Sequence, residues 1–306
     1  MNHSSCPPLE RSWVLHYNPH MVTSGSSKNN NKYNNKKKRS KTFKVLVGLI
    51  IVLGVFELAA FGALAYYISD DYDADADAEK ALKSSSGVRV IMAEDWIEFA
   101  PSARSQAVKC DRPAAGSQAS DAFGSNASDT GIIFYPGGKV EYTAYAPLMQ
   151  GFAKEGYFCA LVKMPFGLAV FDTNAAKDVK EAHPEISHWV IGGHSLGGAM
   201  AAKYSAISDF DGLFLLAAYT TTDMSDKDIP VVSVYGDADG VLNMDDYAAN
   251  KSNLPADTVE CVIKGGNHSQ FGSYGLQEGD GEANISAEKQ RAQTVRLVLG
   301  NIDADK

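Results

Sequence analysis

The longest apolar run is Val45–Ile68, VLVGLIIVLGVFELAAFGALAYYI, broken by a single charge at Glu57. As a helix rising about 1.5 Å per residue, it is long enough to cross a hydrocarbon core with some tilt. Residues 1–42 before it hold SSKNNNKYNNKKKRSK and little to bury, which predicts a disordered tail. Residues 69–87 after it are acidic and then serine-rich, and read as a stalk. From Val88 the pattern changes to short apolar runs. Val88–Met92 and Trp96–Phe99 predict two strands in a hairpin, and residues 101–130 a long surface loop rich in Ser, Ala, Gly and Asp. Further strands are predicted at Gly131–Tyr135, Phe158–Lys163, His188–Ile191, Leu213–Ala217, Val231–Tyr235 and Thr258–Ile263. Helices are predicted at Ala144–Glu155, Asn174–His183, Ala199–Ile207 and Ala287–Leu299. Short buried strands alternating with helices predict an α/β domain, with a mostly parallel sheet covered on both faces.

Charge divides the chain at the apolar run. Up to Lys44 there are nine Lys and Arg against one acid, Glu10; from Ser69 onward 19 Lys and Arg face 35 Asp and Glu. Lys36, Lys37, Lys38, Arg39, Lys41 and Lys44 crowd the N-terminal flank, and Asp70, Asp71, Asp73, Asp75 and Asp77 follow the other end. The positive-inside rule then predicts a cytoplasmic N-terminus and a domain exported beyond Ser69. A cleaved signal peptide with Ala63-Leu64-Ala65 as its site is the rival; the long apolar run and the long preceding segment favour an uncleaved anchor. Glu57, deep in the span, reads as a helix contact or proton site, or as a protonated or water-reached side chain. An acidic domain gives no support to nucleic-acid binding. The cysteines, Cys6, Cys110, Cys159 and Cys261, form no metal signature. They read as free thiols or as one disulfide, Cys159 with Cys261, if their strands are neighbours.

Gly193-His194-Ser195-Leu196-Gly197 is the one G-x-S-x-G in the chain. It directly follows an apolar strand and precedes the small-residue stretch Gly198-Ala199-Met200-Ala201-Ala202. That context predicts a strand–turn–helix with the Ser195 hydroxyl exposed on a sharp turn, where flanking side chains would strike neighbouring backbone. The helix N-terminus would direct free N–H groups at an oxyanion. The turn resembles that of α/β-hydrolases, and the resemblance implies their chain order, in which the acid and then the histidine follow the serine. Of seven histidines only His268 comes after Ser195, in Lys264-Gly265-Gly266-Asn267-His268. The acid is expected on the loop after Val231–Tyr235, where Asp237 and Asp239 both qualify. Glycines after the strand Gly131–Tyr135, in Tyr135-Pro136-Gly137-Gly138-Lys139, suit an oxyanion hole formed by the Leu196 N–H with Gly137 or Gly138.

These segments give the chain a resemblance to the α/β-hydrolase superfamily, and to its small, lidless branch related to dienelactone hydrolase (carboxymethylenebutenolidase). It runs from about Val88 to Ile302, carried by FYPGGKVEYTAYAPLM, IGGHSLGGAMA, YGDADGV and GGNHSQFGSYG. The resemblance implies Ser195 as nucleophile and His268 as base. It selects Asp239 as acid, because the branch carries Gly-x-x-Asp after the penultimate strand and Gly236 and Asp239 match it. Dienelactone hydrolases proper carry Cys where this chain has Ser195, so the likeness implies a general esterase rather than a lactonase. The expected organisation is a tail over 1–42, an anchor over 43–68, a stalk over 69–87 and a hydrolase domain over 88–306.

Ala218–Pro230 is too short to hold a cap domain, so an open site is expected. Met164 and Phe166, after another strand, are expected to wall it, with Tyr219 beside them, in keeping with a short acyl group and a small ester-like substrate. Leu196 and Gly138 would steady the oxyanion, and the chemistry requires neither a metal nor an organic cofactor. A peptidase or amidase with the same triad, or a non-catalytic membrane-tethered binding protein, are the alternative functions.

Overall fold

The computed structural model describes residues 41–68, 71–102 and 129–302. The expected tail, most of the loop at 101–130, Cys6 and Cys110 lie outside them. Helix α1 (Lys41–Ile68) carries the apolar run, and its side chains are exposed from Lys41 through Ala63. By length and composition it can cross a membrane.

Eight strands form one sheet: β1 (Val88–Met92), β2 (Trp96–Pro101), β3 (Thr130–Tyr135), β4 (Phe158–Val162), β5 (His188–His194), β6 (Gly212–Leu216), β7 (Val231–Gly236) and β8 (Val259–Ile263). Their spatial order is β1-β2-β4-β3-β5-β6-β7-β8, and β1–β2 and β2–β4 are antiparallel while every other pair is parallel. The period-two alternation of strand side chains divides the core between the two faces. Ile132 and Phe134 of β3, Phe214 and Leu216 of β6, and Val232 and Val234 of β7 join one cluster. Their neighbours Ile133, Tyr135, Leu213, Leu215 and Val231 join the other. Both faces are covered, which explains why these strands read as continuous apolar runs.

Helices α3 (Ala146–Lys154) and α7 (Ala287–Ile302) close the first face with Leu148, Met149, Phe152, Val298 and Leu299. Helices α4 (Ala176–Ala182) and α5 (Leu196–Ser205) close the second with Ala176, Val179, Ala201 and Ala202. A short α6 (Met244–Ala249), capped by the Asn243 side chain, follows β7 and was not expected from the sequence. Helix α3 begins at Ala146 rather than Ala144, because Pro147 fits only a first turn. Residues 217–230, between β6 and β7, hold no helix or strand.

Two expectations are corrected. The stalk expected over 69–87 is, from Asp71 onward, packed on the domain. Tyr72 pairs with Val140, Asp75 caps α2 (Ala76–Ala81), and Ala78 is fully buried. Gln150 donates from Nε2 to the carbonyls of Ala81 and Lys83. Scattered alanines among acids hide this burial in the sequence. The disulfide reading also fails, since Cys159 lies on β4 and Cys261 on β8, with β3, β5, β6 and β7 between them. At about 4.8 Å per strand spacing that is roughly 24 Å, against about 6 Å for a bridged pair.

Candidate active site

In a doubly wound sheet, ligands bind beyond the C-terminal ends of the strands where successive connections diverge. Here β3 is followed by its neighbour on one side, β4, and then by its neighbour on the other, β5. The switch point therefore lies between the loops leaving β3 and β5.

Strand β5 ends at His194 and α5 begins at Leu196, so Ser195 alone makes the turn, at φ 51° and ψ −122°. For a residue with a side chain this conformation costs about 1–3 kcal/mol. It is held by the Ser195 N–H donating to the Leu216 carbonyl at 2.9 Å. A Cβ at Gly193 would lie 2.5 Å from the Gly197 carbonyl carbon, and one at Gly197 would run into the Tyr135 and Pro136 carbonyls. Only glycine fits on either side of so tight a turn.

His268 Nδ1 lies 2.9 Å from Asp239 Oδ2, with the two side chains 1% and 2% exposed. Asp239 Oδ1 accepts the N–H groups of Val241 at 2.9 Å and Leu242 at 2.8 Å, which fixes the carboxylate. A carboxylate facing Nδ1 puts the neutral ring's proton there and leaves a lone pair on Nε2. Nε2 is buried without a hydrogen-bond partner among the described residues, so no hydrogen bond joins it to Ser195 Oγ. Such bonds often form only with substrate in place. Asp237 does different work, accepting the Gly265 N–H and tying the β7 loop to the β8 loop.

His194, one residue before the turn, packs its ring 4.4 Å from that of His268. Burial first, and the neighbouring His268 second, hold its pKa well below the ordinary imidazole range, so it is neutral. Its Nδ1 is 2.7 Å from the Tyr145 hydroxyl, which also accepts the Gly137 N–H at 3.1 Å. The Lys139 N–H donates to the Gly167 carbonyl at 3.2 Å. Of the loop's three successive amides, that of Gly138 is the one without a partner among the described residues. A Cβ on Gly138 would lie 2.9 Å from Leu196 Cδ2, so the Gly138 backbone adjoins the first residue of α5, whose own N–H lies outside the helical ladder.

The expected apolar wall does not form as a unit. Met164 continues the extended path of β4 and is buried in the second-face core. Phe166, at φ 55°, turns outward, is 61% exposed and meets Phe171 edge to face. Tyr219 is half-buried, and its hydroxyl donates to Asp246 at 3.3 Å.

Two supporting groups were missed in the sequence. Tyr145 joins the Gly137 loop to His194, the residue before the Ser195 turn. Asp280 accepts from the backbone N–H groups of Gly240, His268 and Ser269. An aspartate set between Gly279 and Gly281 was the available signal, since short acidic side chains in such turns bind nearby backbone. Among the described residues no group of three His, Cys, Asp or Glu side chains could hold a metal ion.

A profile described as the alpha/beta hydrolase family matches residues 131–292. No curated protein matches the chain. Among solved structures, a predicted CIB-like hydrolase from Thermoplasma acidophilum is similar at 13% identity and TM-score 0.45, over 70% of this chain and 97% of that one. Pyrococcus horikoshii acylaminoacyl peptidase is similar at 12% identity and TM-score 0.45, over 74% of this chain and 44% of that one.

Proposed function

The chain belongs to the alpha/beta hydrolase family, and from that premise we propose that it is a serine hydrolase cleaving small carboxylic esters through Ser195, His268 and Asp239. One observation carries the reading: a buried His268–Asp239 pair 2.9 Å apart that leaves Nε2 uncommitted. Ser195 Oγ attacks the ester carbonyl as His268 Nε2 takes its proton. Asp239 stabilises the imidazolium, and neutral His194 adds no second positive charge beside it. The N–H groups of Leu196 and Gly138 receive the developing oxyanion. The imidazolium then protonates the leaving alkoxide, and water, deprotonated by His268, clears the acyl-enzyme. The short 217–230 connection supports an open site for a small acyl group, with Tyr219 at its side.

The basic flank before α1 and the acidic residues after it support a single-pass anchor through residues 45–68, with the N-terminus cytoplasmic and the catalytic domain outside.

The test is fluorophosphonate labelling of the full chain, with the label mapped by peptide mass, alongside p-nitrophenyl acetate hydrolysis. Label on Ser195, with turnover reduced by about 10⁴-fold or more in Ser195→Ala, is the expected result. Absence of both label and turnover would refute the enzyme in favour of a tethered binding protein. Labelling with amide but no ester cleavage would replace the esterase by a peptidase.

A further inference from the structure

Outside α1, three of the exposed large apolar side chains fall within one short loop: Phe166 at 61%, Val170 at 48% and Phe171 at 50%. This loop follows β4 and touches the oxyanion segment, through the bond from Lys139 N–H to the Gly167 carbonyl and through Leu168, whose Cδ2 would lie 3.3 Å from a Cβ on Gly138. One further exposed apolar residue, Leu276, stands on the loop beyond His268. Between these two loops runs the segment that leads out of α1. Tyr72 N–H donates to the Lys139 carbonyl at 2.7 Å, and the Tyr72 carbonyl accepts the Glu141 N–H at 2.9 Å. The Tyr72 hydroxyl accepts the Glu278 N–H at 3.0 Å. Asp71 reaches the Phe166–Phe171 loop, with Oδ2 3.7 Å from where a Cβ on Gly167 would stand.

Covalent reach turns this into a constraint. Helix α1 ends at Ile68, and three peptide steps, about 10 Å at full extension, lead to Asp71. The membrane-length stretch ends at Ala63, so even with the last turn of α1 outside the core the chain reaches the C-terminal edge of the sheet within about 18 Å of the interface. Exposed aromatic and aliphatic side chains at that depth gain by entering the headgroup region, where apolar faces of surface-bound segments dip by about 5–10 Å. Asp71, Asp73 and Asp172 stand on or beside the same segments, so the surface suits zwitterionic rather than anionic lipid.

We propose that the catalytic edge of the sheet works against the bilayer beside its own anchor, with Phe166, Val170 and Phe171 in zwitterionic lipid, and that its substrates are carboxylic esters dissolved in that bilayer. The substrate half rests on the serine-hydrolase reading; the lipid half rests on α1 crossing the membrane.

The full chain in phosphatidylcholine nanodiscs tests both halves. The indole introduced by Phe171→Trp, or by Val170→Trp as a second reporter, should be quenched by phosphatidylcholine brominated high on its acyl chains. That of Ile207→Trp should not, because Ile207 is 81% exposed but follows the far end of α5, at the opposite edge of the sheet. The unsubstituted chain supplies the background from its three tryptophans. Quenching no stronger at 171 than at 207, or failure of the chain to enter nanodiscs, overturns the proposal. Val170→Ser combined with Phe171→Ser should lower turnover of a long-chain umbelliferyl ester dissolved in the bilayer severalfold. Turnover of water-soluble p-nitrophenyl acetate should hold within about twofold. Equal losses on the two esters overturn the claim about substrate. If no ester is turned over, and Ser195→Ala changes nothing, the hydrolase reading is what has failed; the quenching, which needs no turnover, still decides the lipid contact.

Discussion

Asp280→Asn probes how the loops carrying His268 and Asp239 are kept at one spacing. The carboxylate lies between them. Oδ1 accepts from the N–H groups of Gly240 at 3.1 Å, His268 at 3.2 Å and Gly281 at 2.8 Å. Oδ2 accepts from the Ser269 N–H at 2.8 Å and its Oγ at 2.6 Å. Four of the five donors are backbone N–H groups, and only the Ser269 hydroxyl, which already accepts the Gln277 N–H at 2.8 Å, can accept from an amide NH₂. In the better orientation, with the NH₂ toward Ser269, the bond from the Ser269 N–H is lost. Bonds to a charged acceptor are worth about 1.5–3 kcal/mol each, and because Asp280 is only half-buried the lower figure applies, giving about 1.5 kcal/mol. For a domain of this size that is a fall of about 3–6 °C in Tm.

The substitution has a pH signature as well. Burial acts to raise the Asp280 pKa, but bonds from the Ser269 side chain and from backbone N–H groups outweigh it and hold the carboxyl below its ordinary 3.8. A depressed folded pKa means stabilisation present above the unfolded value and lost as pH falls through the folded one. Asp280→Asn should therefore lose stability at neutral pH and show a flatter acid limb below about pH 4. If loosening shifts His268 by about 1 Å, kcat should drop by about 10²-fold. Circular-dichroism melts of the full chain, with kcat and KM for a soluble ester measured separately, decide the matter. A Tm within about 2 °C of the parent and an unchanged kcat would refute the reasoning.

The other expectations are simpler. Gly193→Ala would put a Cβ 2.5 Å from the Gly197 carbonyl carbon and 2.6 Å from the Gly198 nitrogen, both backbone atoms with little freedom to move. A loss of about 3 kcal/mol is expected, read as folded yield by size exclusion; a folded, fully active variant contradicts it. His194 stays neutral in the fold while its unfolded counterpart takes up a proton below about pH 6.5, so stability should fall as pH drops below that value. His194→Gln should lessen this slope in urea unfolding compared at about pH 7.5 and pH 5.5, and an identical slope would remove the assignment.

How far the sequence could be read follows from which signals are local. The buried parallel strands were legible because both of their faces are covered, leaving uninterrupted apolar runs such as GIIFY and GLFLL. Ser195 was legible because steric demand around one turn fixes glycines on both sides of it. Asp239 and Asp237 were indistinguishable by residue type, and the resemblance, not the local chemistry, separated them. Their geometry differs through partners distant in the chain: His268 for one, Gly265 for the other. The segment at 71–82 was misread for a related reason. Its composition is that of a solvated linker, and only its contacts with Lys139, Glu141, Gln150 and Ser273 make it part of the domain. Met164 and Phe166 were paired by proximity in sequence, whereas a left-handed backbone at Phe166 sends the two side chains to opposite surroundings.

The backbone locates the site independently of any motif. Among the described residues, four that carry side chains have positive φ: Lys139 at 60°, Phe166 at 55°, Ser195 at 51° and Ala217 at 46°. They follow β3, β4, β5 and β6 in turn, so all four lie at the C-terminal edge of the parallel sheet. Each costs of order 1 kcal/mol, and local contacts of such small loops do not repay it. The repayment comes from a core packed on both faces of the strands, which fixes where each loop starts. A fold that only needed to be stable would relieve those turns with glycine, as it does at Gly265 and Gly275. Strain confined to one edge, beside a buried histidine whose Nε2 has no partner among the described residues, is therefore better explained by the demands of a reacting centre than by the demands of folding.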